Sequence, residues 1–181
     1  AFLLFNLLIN CDNLCQNDKN ILRNAAEAIS DYYGKGLGIN HEDPDFGKTT
    51  AVNGMIRTED SKLHVSFDIR YGSTLSSEEL EATTDKAVAS YGFRIVEKDN
   101  RQGFTIDKSS PVPAMLENVF EEVTGERLKS VLMSGGTYAR KLNNAVSIGT
   151  FYITSDRKDK ILKMPDGHGG AHQCDEMIDI N

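Results

Sequence analysis

Two glycine-rich stretches carry the side chains with the clearest chemical capacity. Ser134-Gly135-Gly136-Thr137-Tyr138-Ala139-Arg140 ends in a fixed cation, and Gly167-His168-Gly169-Gly170-Ala171-His172-Gln173-Cys174-Asp175-Glu176 joins imidazoles to carboxylates. Paired glycines mark loops whose backbone turns tightly or comes close to another group. A neutral imidazole binds zinc-like ions, and a histidine with small neighbours has room around its ring. One histidine does not complete such a site, because catalytic zinc takes about three protein ligands and an open position. The remaining ligands are expected from residues that this chain does not contain.

A third candidate comes from strand periodicity. Over 63–71, Leu63, Val65, Phe67, Ile69 and Tyr71 alternate with His64, Ser66, Asp68 and Arg70. A period of two puts the apolar set on a core and the polar set on the opposite face. Arg70 therefore stands near the strand's end on an open sheet face, where its guanidinium fork suits either a carboxylate ligand or a neighbouring acidic side chain. The other histidines have simpler accounts: His41 is a solvated loop residue in an acidic segment, and His64 a surface residue on the face that carries Arg70. Cys11 and Cys15, at i and i+4 of an expected helix, read as two small buried thiols rather than a redox or metal pair.

The elements that position these groups follow from pattern. Residues 1–33 predict two helices, the first a short buried one on the stripe Phe2, Leu4, Phe5, Leu8 and Ile9, the second on Ile21, Leu22, Ala25, Ala28, Ile29 and Tyr32. Gly34, Gly36 and Gly38 end the second and open the acidic loop at 39–47. Strands are predicted at 49–56 and 63–71, joined by Thr58-Glu59-Asp60-Ser61. Ser76-Ser77-Glu78-Glu79 is a capping box for a helix that buries Leu80, Thr84, Ala87, Val88 and Tyr91 and stops at Gly92. Strand segments are expected at 93–98 and 103–107.

This order predicts an α+β domain over 1–108, a βαββαβ (ferredoxin-like) arrangement with its first strand missing. A second segment, 109–181, opens with Ser110 as cap and Pro111 in the first turn of a helix burying Leu116, Val119, Phe120 and Val123. Gly125 closes that helix, strands follow at 128–133 and 145–153, and 154–166 is a charged surface excursion.

Composition narrows the class. The 181 residues are 39% hydrophobic and 26% charged, ordinary for a globular chain. A net charge of −7 with no long Lys/Arg run argues against a nucleic-acid partner. The apolar opening is shorter than the ~20 residues that span a bilayer, so no membrane partner is expected. Three cysteines, an odd number, fit a reducing compartment, hence a cytoplasmic protein.

Ser-Gly-Gly-Thr-Tyr-Ala-Arg-Lys-Leu, then an apolar strand, then Gly-Gly-Ala-His-Gln-x-Asp-Glu, resembles the C-terminal quarter of the co-catalytic zinc metallopeptidases. That family includes carboxypeptidase G, desuccinylase, aminoacylase and carnosinase-type enzymes. The preceding α+β segment resembles their lid or dimerisation domain. The helical extension, the Gly-Ile-Asn-His-Glu-Asp loop and the Asp-Ile-Arg-Tyr strand end resemble the dipeptidase V (Xaa-His dipeptidase) branch. The resemblance implies a partial α/β catalytic segment after the lid, and a metallodipeptidase as the parent protein. It implies His172 as a metal ligand, with Glu176 in support, and Arg70 as the group gripping the substrate's terminal carboxylate. Gly135, Gly136, Thr137 and Arg140 are implied to line the substrate pocket.

Two divalent ions, zinc with manganese or cobalt as alternatives, are implied as cofactors. The implied substrate is a dipeptide or small peptide, and a monomer is favoured over a homodimer. Cys174, where proline is common in the family, and Gly72, where the family has proline after Tyr71, are departures. The family's His-x-Asp motif, bridging Asp, Glu-Glu pair and lid histidine are expected to precede Ala1. The chain alone is therefore expected to be inert. Alternatives are a deacylase or desuccinylase within the family, or a free-standing carboxylate-binding or dimerisation module.

Overall fold

Asp60 and Ser61 both take positive φ, 48° and 58°, the pair of left-handed residues that a two-residue type I′ turn requires. The turn joins β3 (Thr50–Glu59) to β4 (Lys62–Arg70) in an antiparallel hairpin, longer at its first strand than the pattern predicts. The computed structural model describes residues 2–101, 103–107, 109–127, 129–143 and 145–148. They belong to two compact units, Ala1–Gly136 and Thr137–Asn181.

In the first unit, chain order runs α1 (Phe2–Ile9), α2 (Gln16–Ala28), a 3-10 turn (Lys35–Leu37), then β1 (Glu42–Asp43) paired with β2 (Gly47–Lys48). The β3–β4 hairpin follows, then α3 (Ser77–Ser90) and α4 (Pro111–Thr124). Ala28 of α2, Leu37, Ile39, Ala51 of β3 and Leu80 of α3 form one buried cluster, with Phe67, Ile69, Tyr71, Val88 and Tyr91 against it. A second joins Phe5 of α1 to Ala25 and Ala26, with Ile56 and Leu63 from the hairpin. Helices thus cover one hairpin face and leave the other open.

The register shifts by one between Asn53 and Met55, so Gly54 is the extra residue of a β-bulge. This reverses side-chain parity along β3: Ala51 is buried before the bulge, and Ile56 packs inward after it. Asn53 Nδ2 donates to the Ser66 carbonyl at 2.9 Å across the bulge. The open face therefore carries Thr50 and Val52, then Met55, opposite Arg70, Asp68 and Ser66 respectively.

Ser76 caps α3 as expected, accepting from the Glu79 amide at 3.1 Å while Glu79 Oε2 accepts from the Ser76 amide at 3.2 Å. Other expectations need correction. α2 ends at Ala28, with Ile29 at its cap, before the glycines that were expected to close it. α1 buries only Phe5; Phe2 and Leu4 of the expected stripe are exposed. Cys11 follows α1 and Cys15 is the N-cap of α2, so the two do not share a helix, and both are exposed.

Residues 93–98 and 103–107 form no ladder. Instead, side chains of the first of these segments and of Asn100 tie it to α3. Lys98 Nζ lies 2.8 Å from Asp85, and Asn100 Nδ2 donates to Glu81 Oε1 at 2.9 Å. α4 starts at Pro111 after Ser110, as predicted, yet Val119 and Val123 are exposed and Pro113 is its buried residue. No strand forms over 129–133 or 145–148, and the rest of the strand predicted to 153 lies outside the described residues. So does the charged excursion at 154–166. In the second unit, Thr137 caps a 3-10 turn at Tyr138–Lys141. Among the described residues no helix is long and apolar enough to cross a membrane.

Gly36 marks the tightest approach. A Cβ there would overlap the Glu27 carbonyl oxygen and lie 2.8 Å from that of Ala28, both backbone atoms that cannot swing away. Gly36→Ala is therefore expected to lower unfolding stability by about 1–3 kcal/mol, as overpacking does. Gly103→Ala, at an open position, is expected to change it by less than about 0.5 kcal/mol in the same urea titrations.

Candidate functional site

The open hairpin face holds a cleft of about 480 Å³, lined by Tyr32, Phe46, Lys48, Thr50, Val52, Asp68, Arg70 and Ser134. Its floor is the strand pair itself, because Thr50 faces Arg70 and Val52 faces Asp68 across the ladder. Lys48, the last residue of β2, lines the cleft beside them. The size falls within the usual range for small-molecule pockets, ~300–1,000 Å³.

Arg70 is the last residue of β4, and its side chain is 44% exposed. Its Nη2 and Nε donate to Asp68 Oδ2 at 2.9 and 3.2 Å, and its Nη1 donates to the Ser134 carbonyl at 3.4 Å. An exposed pair of this kind contributes about 0–1 kcal/mol, so a ligand carboxylate can displace it at small cost. The bond to Ser134 brings Arg70 to the start of the first glycine-rich loop, next to Gly135. Lys48 Nζ sits 5.1 Å from the Tyr33 ring centroid, and Tyr33 meets Tyr32 edge-on at 5.4 Å. A surface cation–π contact is worth about 0.5–1 kcal/mol.

Other expected site residues are placed separately. Gly136 closes the first unit. In the second, Thr137 Oγ1 accepts from Ser147 Oγ at 2.6 Å, and Arg140 is exposed in the 3-10 turn. His172, Glu176, His168 and Cys174 lie outside the described residues. Among the described residues, no group of three or more His, Cys, Asp or Glu side chains is arranged to hold a metal ion.

Sequence reasoning passed over Asp43, which the structure makes central. Its Oδ1 accepts from the Asp45 and Phe46 amides, each at 2.8 Å. Its Oδ2 accepts from the Thr74 amide and hydroxyl, each at 3.0 Å. Since the Thr74 hydroxyl proton points to Asp43, its oxygen accepts from His41 Nε2–H at 2.8 Å. The string His41-Glu42-Asp43 has His-x-Asp spacing, but its carboxylate already receives four donors and serves the loop.

The Phe46, Thr74 and Asp45 amides hold the Asp43 carboxyl well below the usual carboxylate range, against a smaller opposing effect of burial. Gly72 is fitted to this arrangement, since a Cβ there would overlap the Asp43 side chain. The visible signal was an Asx-turn residue within Glu-Asp-Pro-Asp, masked by the acidic residues around it.

No protein-family profile matches the chain. Among curated proteins it is 28% identical to "Putative dipeptidase YtjP" of Bacillus subtilis (strain 168) over 152 residues, 83% of this chain and 30% of that protein. It is 28% identical over 127 residues to "Putative dipeptidase SH1171" of Staphylococcus haemolyticus, covering 69% of this chain and 27% of that one. With "Beta-Ala-Xaa dipeptidase" of Lactobacillus delbrueckii subsp. lactis it shares 29% identity over 140 residues, 73% and 28% of the two chains. The chain spans less than a third of the length of these relatives. Its similarity is thus to proteins named as dipeptidases.

A carboxyl with a depressed native value contributes stability that is present above its unfolded value, ~3.9, and is lost as pH falls from there through the native value. Asp43→Asn is expected to speed exchange of the Phe46 and Thr74 amides at pH 7, measured by NMR. The stability gap between wild type and variant is expected to close progressively below about pH 4, where wild type loses its advantage.

Proposed function

We propose that this chain is the substrate-gripping part of a metal-dependent dipeptidase, with Arg70 as the clamp for the peptide's free carboxylate. The observation that carries the reading is the placement of Arg70: last in a regular strand, on an open face, in a cleft of dipeptide size. The similarity to proteins named as dipeptidases supports it. In this reading residues 1–108 form a ferredoxin-like lid and 109–181 a catalytic-domain segment of a soluble cytoplasmic hydrolase.

The guanidinium would exchange Asp68 for the substrate carboxylate, in a two-bond geometry that Lys cannot reproduce. A strand mount fixes its direction, so the peptide bond of a bound dipeptide stands at a set distance from the clamp. Arg70 reaches Ser134, and Gly135 and Gly136, which follow it in the same unit, carry no side chain that would hold a substrate off the backbone. His172, with Glu176 in support, is the ligand this chain would give to a pair of divalent ions, zinc or else manganese or cobalt. Such ions polarise a peptide carbonyl and make water acidic when bound. The other ligands and the general base would belong to the part of such a dipeptidase that this chain does not span, and the chain alone is expected to be inert.

Calorimetric titration tests the clamp. The chain is expected to bind Ala-Ala about tenfold more tightly than Ala-Ala-amide, the scale of a charge-assisted bidentate contact. Arg70→Met is expected to remove that difference, and equal binding of acid and amide by wild type would refute the clamp. No turnover of either dipeptide is expected with zinc, manganese or cobalt added. Turnover would show instead that these residues complete a catalytic site.

A further inference from the structure

We propose that Lys48 is a specificity determinant of the cleft, selecting peptides whose C-terminal residue carries an acidic side chain. The inference rests on the clamp reading above and extends it from the main-chain carboxylate to the side chain beside it. Two cations, Lys48 and Arg70, and one carboxylate, Asp68, line the cleft. The site is cationic although the whole chain is at −7, and a local field of that sign favours anionic ligands.

The two cations are not equally committed. Arg70 holds Asp68 and the Ser134 carbonyl. Lys48 has the Tyr33 ring as its contact and, among the described residues, no carboxylate within ion-pair distance. Glu42 faces it in the β1–β2 register without forming a pair. The ammonium is therefore not committed to a carboxylate among the described residues.

Charge decides which part of a peptide they would meet. Thr50 lies directly across from Arg70, and Lys48, the last residue of β2, lines the same cleft. Two cations in one cleft match the two carboxylates of a C-terminal Asp or Glu, whereas they repel the ammonium at the other end of a dipeptide. Tyr32 and Phe46 add apolar walls for the methylene groups between them.

The test titrates the 181-residue chain, without added metal, with Ala-Glu and its uncharged isostere Ala-Gln. Wild type is expected to bind Ala-Glu about five- to tenfold more tightly. Lys48→Gln is expected to equalise the two, and Lys48→Arg to restore the preference. Equal affinities in wild type, or a preference that survives Lys48→Gln, would overturn the proposal. Arg70→Met separates it from the reading beneath it. If that variant weakens both peptides, the clamp stands whatever Lys48 does. If it binds both as wild type does while Lys48→Gln removes the preference, Lys48 stands and the clamp falls. Failure of wild type to bind either peptide sinks both.

Discussion

The open-face cleft depends on one carboxylate with four donors. Asp43 takes two amides from its own loop and the amide and hydroxyl of Thr74, beyond the end of β4. Charged acceptors make stronger bonds than neutral ones, and each donor polarises the others around a shared centre. The result fastens the β1–β2 hairpin to the chain that leaves Arg70. Phe46 is bonded directly, and Lys48 follows two residues on, so both cleft walls share this fastening. His41 adds a second layer by donating to Thr74, which orients the hydroxyl that Asp43 receives. Gly72 completes the fit by offering no Cβ where the Asp43 side chain lies.

The hairpin contributes direction. A regular strand sets each side chain by parity, and a one-residue slip would turn Arg70 into the core. The I′ turn fixes the register at one end, and the Gly54 bulge absorbs the change needed midway to bring Ile56 inward. The bulge lies beyond Val52, so the pairs Thr50–Arg70 and Val52–Asp68 keep regular geometry at the cleft. Irregularity is thus placed where the core needs it and kept away from the cleft-facing rungs. Sites mounted on strands in this way hold their geometry more closely than sites on loops.

What could be read from the sequence divides along the same line. Arg70, the hairpin and the Ser76–Glu79 cap were legible because period and local hydrogen bonding determine them within a few residues. Asp43 was not, since its four donors come partly from a loop 31 positions away. Residues 93–98 look like strand by composition, but Lys98 and nearby Asn100 find acidic partners on α3, and no ladder forms there. Val119 and Val123 kept helical spacing without acquiring a cover among the described residues. The amphipathic pattern reported a face, not what lies against it. His168 and His172, four apart in the sequence, fall outside the described residues, so the metal-ligand expectation stands on resemblance.

The Arg70–Asp68 pair explains how such a cleft could be both preset and open. A guanidinium without a partner would sample many rotamers, and ordering it on binding would cost ligand affinity. One paired deep in the core would be too costly to release. With its side chains 44% and 57% exposed, the pair is screened by solvent, so Asp68 orients the fork while holding it weakly. Lys48 is held on a similarly weak surface, the Tyr33 ring, and by no carboxylate among the described residues. Both cations are therefore kept in place by contacts of about 1 kcal/mol or less, below what a desolvated carboxylate returns. Holding each group by its weakest sufficient contact lets the cleft favour an incoming anion over its own internal pairs.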